Sequence, residues 1–162
     1  MKRILAAATL AAFLSTHASA EDDASAQKAI EVAEAYLAAY STFDVDKMAP
    51  FYADDVVFSD PTSIGQIPGH AGFVFEGKDA VIKGLGDYAA GYQKFSVKYD
   101  LERRYESAGV VVFVANLTFE AETKDGKKFT GANPIVTAVT VKDGKVSRHT
   151  DYYDYRENAV EF

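Results

Sequence analysis

The sequence contains no cysteine, no tryptophan and only four prolines. Without cysteine there can be no disulfide, no thiol nucleophile and no thiolate metal ligand, so packing alone must hold the core. Basic residues are in the minority, 17 Lys and Arg against 24 Asp and Glu, for a formal net charge of −7. A chain of that sign lacks the basic footprint that nucleic acid or an anionic membrane surface requires. No phosphate loop, dinucleotide fingerprint, nucleophile elbow or haem motif is present, so no cofactor is expected. Histidines are scarce and not at metal-ligand spacing, so no metal is expected either. Long apolar runs are nearly missing. The one that stands out, residues 4–14, is too short to cross a bilayer, which takes about 20 residues.

That run has a different meaning. Lys2 and Arg3 precede it, Ala18-Ser19-Ala20 follows it, and acidic Glu21-Asp22-Asp23 comes next. This is the pattern of a secretory signal peptide cleaved after Ala20. The expectation is a periplasmic or secreted protein with a single domain over 21–162 and no membrane attachment after processing. Eleven Phe and ten Tyr are a heavy aromatic load, which fills cores and lines apolar pockets.

Residues 25–40 place Ala29, Ile30, Ala33, Tyr36, Leu37 and Tyr40 at three- and four-residue steps, which predicts an amphipathic helix. Asp44 is a good N-cap for a second helix over 45–52. Residues 56–59 read as a strand. Residues 61–72, rich in Gly and Pro, read as a long loop. Gly77-Lys78-Asp79 opens a third helix running to 88–92. The period then changes. Four strands are predicted over 95–105, 110–122, 127–141 and 145–155, joined by Ser107-Ala108-Gly109, Asp125-Gly126 and Asp143-Gly144 turns. Helices first and an antiparallel meander after them define an α+β fold, with helices packed on one sheet face. The tail, 157–162, is expected to fray.

This order of elements, with Ala53-Asp54-Asp55 before the first strand, Asp60-Pro61 after it and His149-Thr150-Asp151-Tyr152-Tyr153-Asp154 near the end, resembles the nuclear transport factor 2-like superfamily. The SnoaL-like polyketide cyclases and the ketosteroid isomerases are the branches it resembles most. The resemblance implies a strongly curved sheet closing as a cone around a blind pocket, and a homodimer formed through the outer sheet face. Isomerases, cyclases, epoxide hydrolases and non-catalytic proteins share that scaffold, so the fold alone does not name an activity.

Residues 36–60 align without gaps to the ketosteroid isomerase pattern. By that resemblance Tyr36 is the phenol that donates to an oxyanion, and Asp60 the carboxylate that shuttles a proton. The third member of that site, a protonated acid, is replaced by Val136. Loss of one such donor typically removes about 3 kcal/mol of transition-state stabilisation, so steroid isomerisation is not expected. On the last strand, alternation puts His149, Asp151, Tyr153 and Tyr155 on one face. Asp151 matches the position of a catalytic Asp in SnoaL-like cyclases and limonene-type epoxide hydrolases, and His149 could share its proton. The Arg-x-Asp pair of the epoxide hydrolases is missing around Asn116-Leu117-Thr118, which argues against that reaction.

The candidate catalytic residues are therefore Asp60, Asp151, Tyr36 and His149. Tyr153, Asn116, Asn133, Phe58 and the loop residue His70 are candidates for binding a small apolar molecule. Three functions stay open: an acid/base isomerase, cyclase or lyase acting on an apolar carbonyl compound; a non-catalytic binder; and an accessory domain that docks a protein partner. The sequence ties each of these residues to an equally plain structural role, Tyr36 to the core and Asp60 to a turn.

Overall fold

A computed structural model describes residues 15–65, 71–156 and 160–161. Helix α1 spans Ser15–Tyr40, α2 Val45–Met48 and α3 Lys78–Ala90. The strands are β1 Tyr52–Asp60, β2 Phe73–Glu76, β3 Tyr92–Ser107, β4 Val110–Thr123, β5 Lys128–Lys142, β6 Lys145–Tyr153 and β7 Val160–Glu161.

The predicted face of α1 is the buried one: Ala29, Ala33, Tyr36, Leu37 and Tyr40 all enter the core. The helix begins at Ser15 rather than near residue 25. It ends where Ser41 and Thr42 turn their hydroxyls back onto the carbonyls of Leu37 and Ala39. Asp44 caps α2 as expected, accepting from the Asp46 N–H. That helix is shorter than predicted. Pro50 has no N–H to continue the α ladder, so the chain tightens into a 3-10 turn over Ala49–Phe51 and enters β1 at Tyr52.

The sheet order is β2-β1-β6-β5-β4-β3, with β7 added against β5. The three predicted hairpins are present, and β3 to β6 form an antiparallel meander. The Asp143-Gly144 turn has both residues at positive φ, 51° and 73°, the conformation that twists with the strands. Strand β1 pairs parallel to β6, which makes the sheet mixed. Strand β2, paired antiparallel to β1, was not expected from the sequence. The sheet is curved and unclosed, with β2 and β3 at its edges. Register shifts at Leu101/Arg103 and Thr140/Val141 mark bulges, which bend a strand and increase its twist. Helices α1 and α3 fill the concave side.

Helix α3 shows how closely that side is packed. A Cβ added at Gly84 would come within 2.4 Å of the Phe75 ring. Phe75 is itself stacked on Phe58 at 6.0 Å and cannot retreat freely. Gly→Ala in a helix normally gains about 1 kcal/mol, but overpacking typically costs about 1–3 kcal/mol. Gly84→Ala should therefore lower stability by up to about 2 kcal/mol in place of that gain. A urea midpoint equal to or above wild type would show that Phe75 gives way.

Candidate functional site

Asp60, Asp151, Phe58, Asn133 and Tyr153 line one cavity of about 480 Å³ on the concave face. Alternation places most of them. Val56, Phe58 and Asp60 are the inward set at the end of β1; His149 and Asp151 are inward on β6; Asn133, Ile135 and Thr137 are inward on β5. Aromatic rings complete the wall. Phe95 alone contacts Phe43 at 4.6 Å, Tyr92 at 5.1 Å and Tyr88 at 5.2 Å.

Asp60 caps the 3-10 turn Pro61–Ser63. Its Oδ1 accepts from the Thr62 hydroxyl at 2.6 Å and the Ser63 N–H at 3.1 Å, and its Oδ2 from the Tyr155 hydroxyl at 2.5 Å. Thr62 in turn accepts the Tyr153 N–H at 2.9 Å, locking the end of β6 to the turn. Burial pushes the Asp60 carboxyl above its ordinary range; these hydrogen bonds oppose that and the Asp151 charge adds to it. The Tyr155 phenol is raised too, by burial and by the carboxylate it serves.

Asp151 is held differently. Its Oδ1 accepts from Thr137 at 2.5 Å and its Oδ2 from Tyr40 at 3.1 Å. His149 Nε2 lies 2.8 Å from the same Oδ2. Nε2 makes no formed hydrogen bond in spite of that distance, so the pair is a bent, close electrostatic contact. On its other side, His149 Nδ1 is 2.8 Å from the Tyr36 hydroxyl, which is 3.2 Å from that of Tyr52. Burial raises the Tyr36 phenol well above its usual value and that of Tyr52 to about 12. The Tyr36 hydroxyl thus lies between Tyr52 and His149, and the imidazole tautomer sets which atom donates in the contact with Nδ1.

Several expectations need correction. Tyr36 and His149 are fully buried and lie behind the cavity wall rather than in it. Tyr40, one turn further along α1, is the tyrosine that faces the cavity. Asn116 is exposed on the outer sheet face, where its amide donates to Glu102; Thr118 has the same parity. Val136 also points outward. The inward positions beside it are Ile135 and Thr137, so the place given to a missing acid holds a hydroxyl that binds Asp151. Asn133 faces the cavity, yet its amide is spent on the carbonyls of Asp154 and Arg156. His70 lies outside the described residues. Tyr40 and Thr137 were the functional candidates overlooked. Both were within reach of the helical and strand periodicities.

A curved mixed sheet wrapped around N-terminal helices, with carboxylates facing an aromatic cavity, defines the nuclear transport factor 2-like type of α+β domain. Residues 33–149 match the SnoaL-like domain family, and the chain belongs to it. Solved structures agree on the fold. A Shewanella putrefaciens protein assigned as a SnoaL-like polyketide cyclase superposes with a TM-score of 0.67 at 22% identity, covering 91% of this chain and 93% of its own. A Catenulispora acidiphila protein with a ketosteroid isomerase-like fold, in complex with trimethylamine, gives 0.58 at 17% identity, covering 76% and 85%. An M. tuberculosis epoxide hydrolase of the LEH-like kind gives 0.57 at 21%, covering 80% and 84%. No curated protein matches the sequence.

Proposed function

We propose that the cavity binds a small, largely apolar carbonyl compound and that Asp60 moves a proton on it, as an isomerase, cyclase or lyase would. The observation behind this reading is a buried carboxylate, raised by desolvation, that faces a cavity walled by aromatic rings. A proton carrier working near neutral pH needs a raised carboxyl, and about 480 Å³ is within the range of small-ligand sites. The O–H groups of Tyr155 and Tyr40 are donated to Asp60 and Asp151, and either must turn from its carboxylate to serve a developing enolate oxygen. The test is proton NMR in D₂O with a panel of small cyclic and aryl ketones. At least one should exchange its α-protons about 100-fold faster than in buffer, the lower end of what a positioned base supplies. Ketones that bind without exchanging would move the assignment to the second reading.

That second reading, a non-catalytic binder, has one observation in its favour. Both oxygens of Asp151 already accept hydrogen bonds from the protein, and the NH₂ of Asn133 donates to two backbone carbonyls, so both side chains are engaged in holding the fold.

Export and pairing belong to the same proposal. Support for pairing is an outward row in register across the sheet, Tyr152, Val136 and Val114, with Tyr152 49% exposed and Val136 36%. A stable pair needs at least about 1,000 Å² of buried surface. Recovered from the extracytoplasmic fraction, the protein should have the intact mass of residues 21–162 and sediment as a dimer at micromolar concentration. A retained Met1-Lys2-Arg3, or a monomer alone, would count against the respective half.

A further inference from the structure

The charges around the cavity are unbalanced. Among the described residues its charged lining is Asp60, Asp151 and Arg156. Arg156 does not offset the other two. Its guanidinium grips both oxygens of Asp154, and its side chain is 85% exposed. Among the described residues no Lys or Arg forms an ion pair with Asp60 or Asp151. Asp151 has His149 beside it; Asp60 has only hydroxyls and one N–H. A carboxylate has roughly four acceptor positions, and the three donors on Asp60 leave about one for a ligand.

The same cavity is lined by an array of ring faces and edges from Phe43, Phe73, Tyr88, Tyr92 and Phe95, with Phe73 the cross-strand partner of Asp60. Ring faces attract cations within about 6 Å and give no such preference to a neutral group. Buried carboxylate and aromatic face thus select the same charge.

We propose that the ligand of this cavity carries an ammonium group, protonated or quaternary, on a compact apolar body. The inference rests on the carbonyl-ligand reading and adds the charge of that ligand. The ammonium sits against Asp60 and these rings, where its charge compensates a carboxylate that has no Lys or Arg partner among the described residues.

Choline and 3,3-dimethylbutan-1-ol have the same shape and differ in one positive charge. In NMR titrations of the full chain near neutral pH, choline should bind at least about tenfold tighter, a difference of about 1.4 kcal/mol. Resonances of Phe95 and Tyr88 should shift on binding. In Asp60→Asn the preference for choline should fall at least about tenfold, the lower end of what a contact with a charged group supplies. Equal affinities in the wild type, or tighter binding of the alcohol, would overturn the inference, and that arm needs no variant to fold. Acetophenone serves as a third probe. If it binds while choline does not, the charge assignment fails and the carbonyl-ligand reading stands. If none of the three binds, both fail.

Discussion

Replacing His149 with alanine is expected to destabilise the fold by about 3–5 kcal/mol, the range for deleting a large buried ring. The side chain is wholly buried. Its ring packs against Tyr40 at 4.6 Å, Phe58 at 4.7 Å and Tyr36 at 5.6 Å, so one truncation leaves three aromatic neighbours facing a void. The Tyr36 hydroxyl would also lose one of its two hydrogen-bond partners, and a buried polar group left unpaired costs about 1–3 kcal/mol unless it finds another. Tyr52, 3.2 Å away, can take over part of that role, which keeps the sum from simply adding. Asp151 is less affected because Thr137 and Tyr40 still donate to it. A domain of this size is commonly stable by about 5–15 kcal/mol, so the variant would sit near the unfolding threshold. Urea denaturation measures the effect. Asn116→Ala, on the exposed outer face, is the control and should stay within about 0.5 kcal/mol of wild type. A loss under about 1 kcal/mol for His149→Ala would mean that the ring does not organise the core.

The difference between His149 and Asn116 also marks what periodicity could and could not reveal. Helical spacing put Tyr36 on the apolar face of α1 and alternation put His149 and Asp151 on one face of β6, while the family resemblance placed Asp60 and turned that face of β6 inward; all four are buried. On β5 the family resemblance made Val136 a site position, although Asn133, Ile135 and Thr137 share the inward face. A shift of one residue exchanges the two faces of a strand, so a family alignment that slips by one reports the wrong side chain. On α1 the error was a full turn: Tyr36 and Tyr40 share a face, and only the depth of the helix in the cone decides which reaches the cavity. The hairpins were legible because Asp-Gly turns are local. The parallel pairing of β1 with β6 was not, since it joins segments far apart in sequence. Strand β2 is four residues long, and no strong local signal separates it from the loop before it.

Asp60→Asn is expected to abolish most proton exchange while leaving the fold at least as stable at neutral pH. The geometry is preserved. Asn keeps an oxygen for the Ser63 N–H and Thr62 hydroxyl, so the 3-10 turn stays capped. Its amide faces the Tyr155 hydroxyl, which can rotate to accept. The proton-carrying carboxylate is gone, however, and loss of a positioned base lowers the rate by about 100- to 10,000-fold. The stability change follows from the sign of the pKa shift. Burial is the leading cause that raises the folded Asp60 carboxyl above its unfolded value. Between those two values the folded state binds more protons than the unfolded one, so stability falls as pH rises through the window. Above the folded pKa the full penalty of a charged, desolvated carboxylate remains. An amide never incurs it. In urea melts at a series of pH values starting just below the ordinary Asp range, the wild type should lose stability through Asp60's window relative to Asp60→Asn, and the two curves should run parallel above it. If the variant is instead markedly less stable at neutral pH, the carboxylate is holding the turn together and the proton-carrier role loses its support. If stability behaves as stated but ketone exchange survives the substitution, Asp151 becomes the proton carrier to test next.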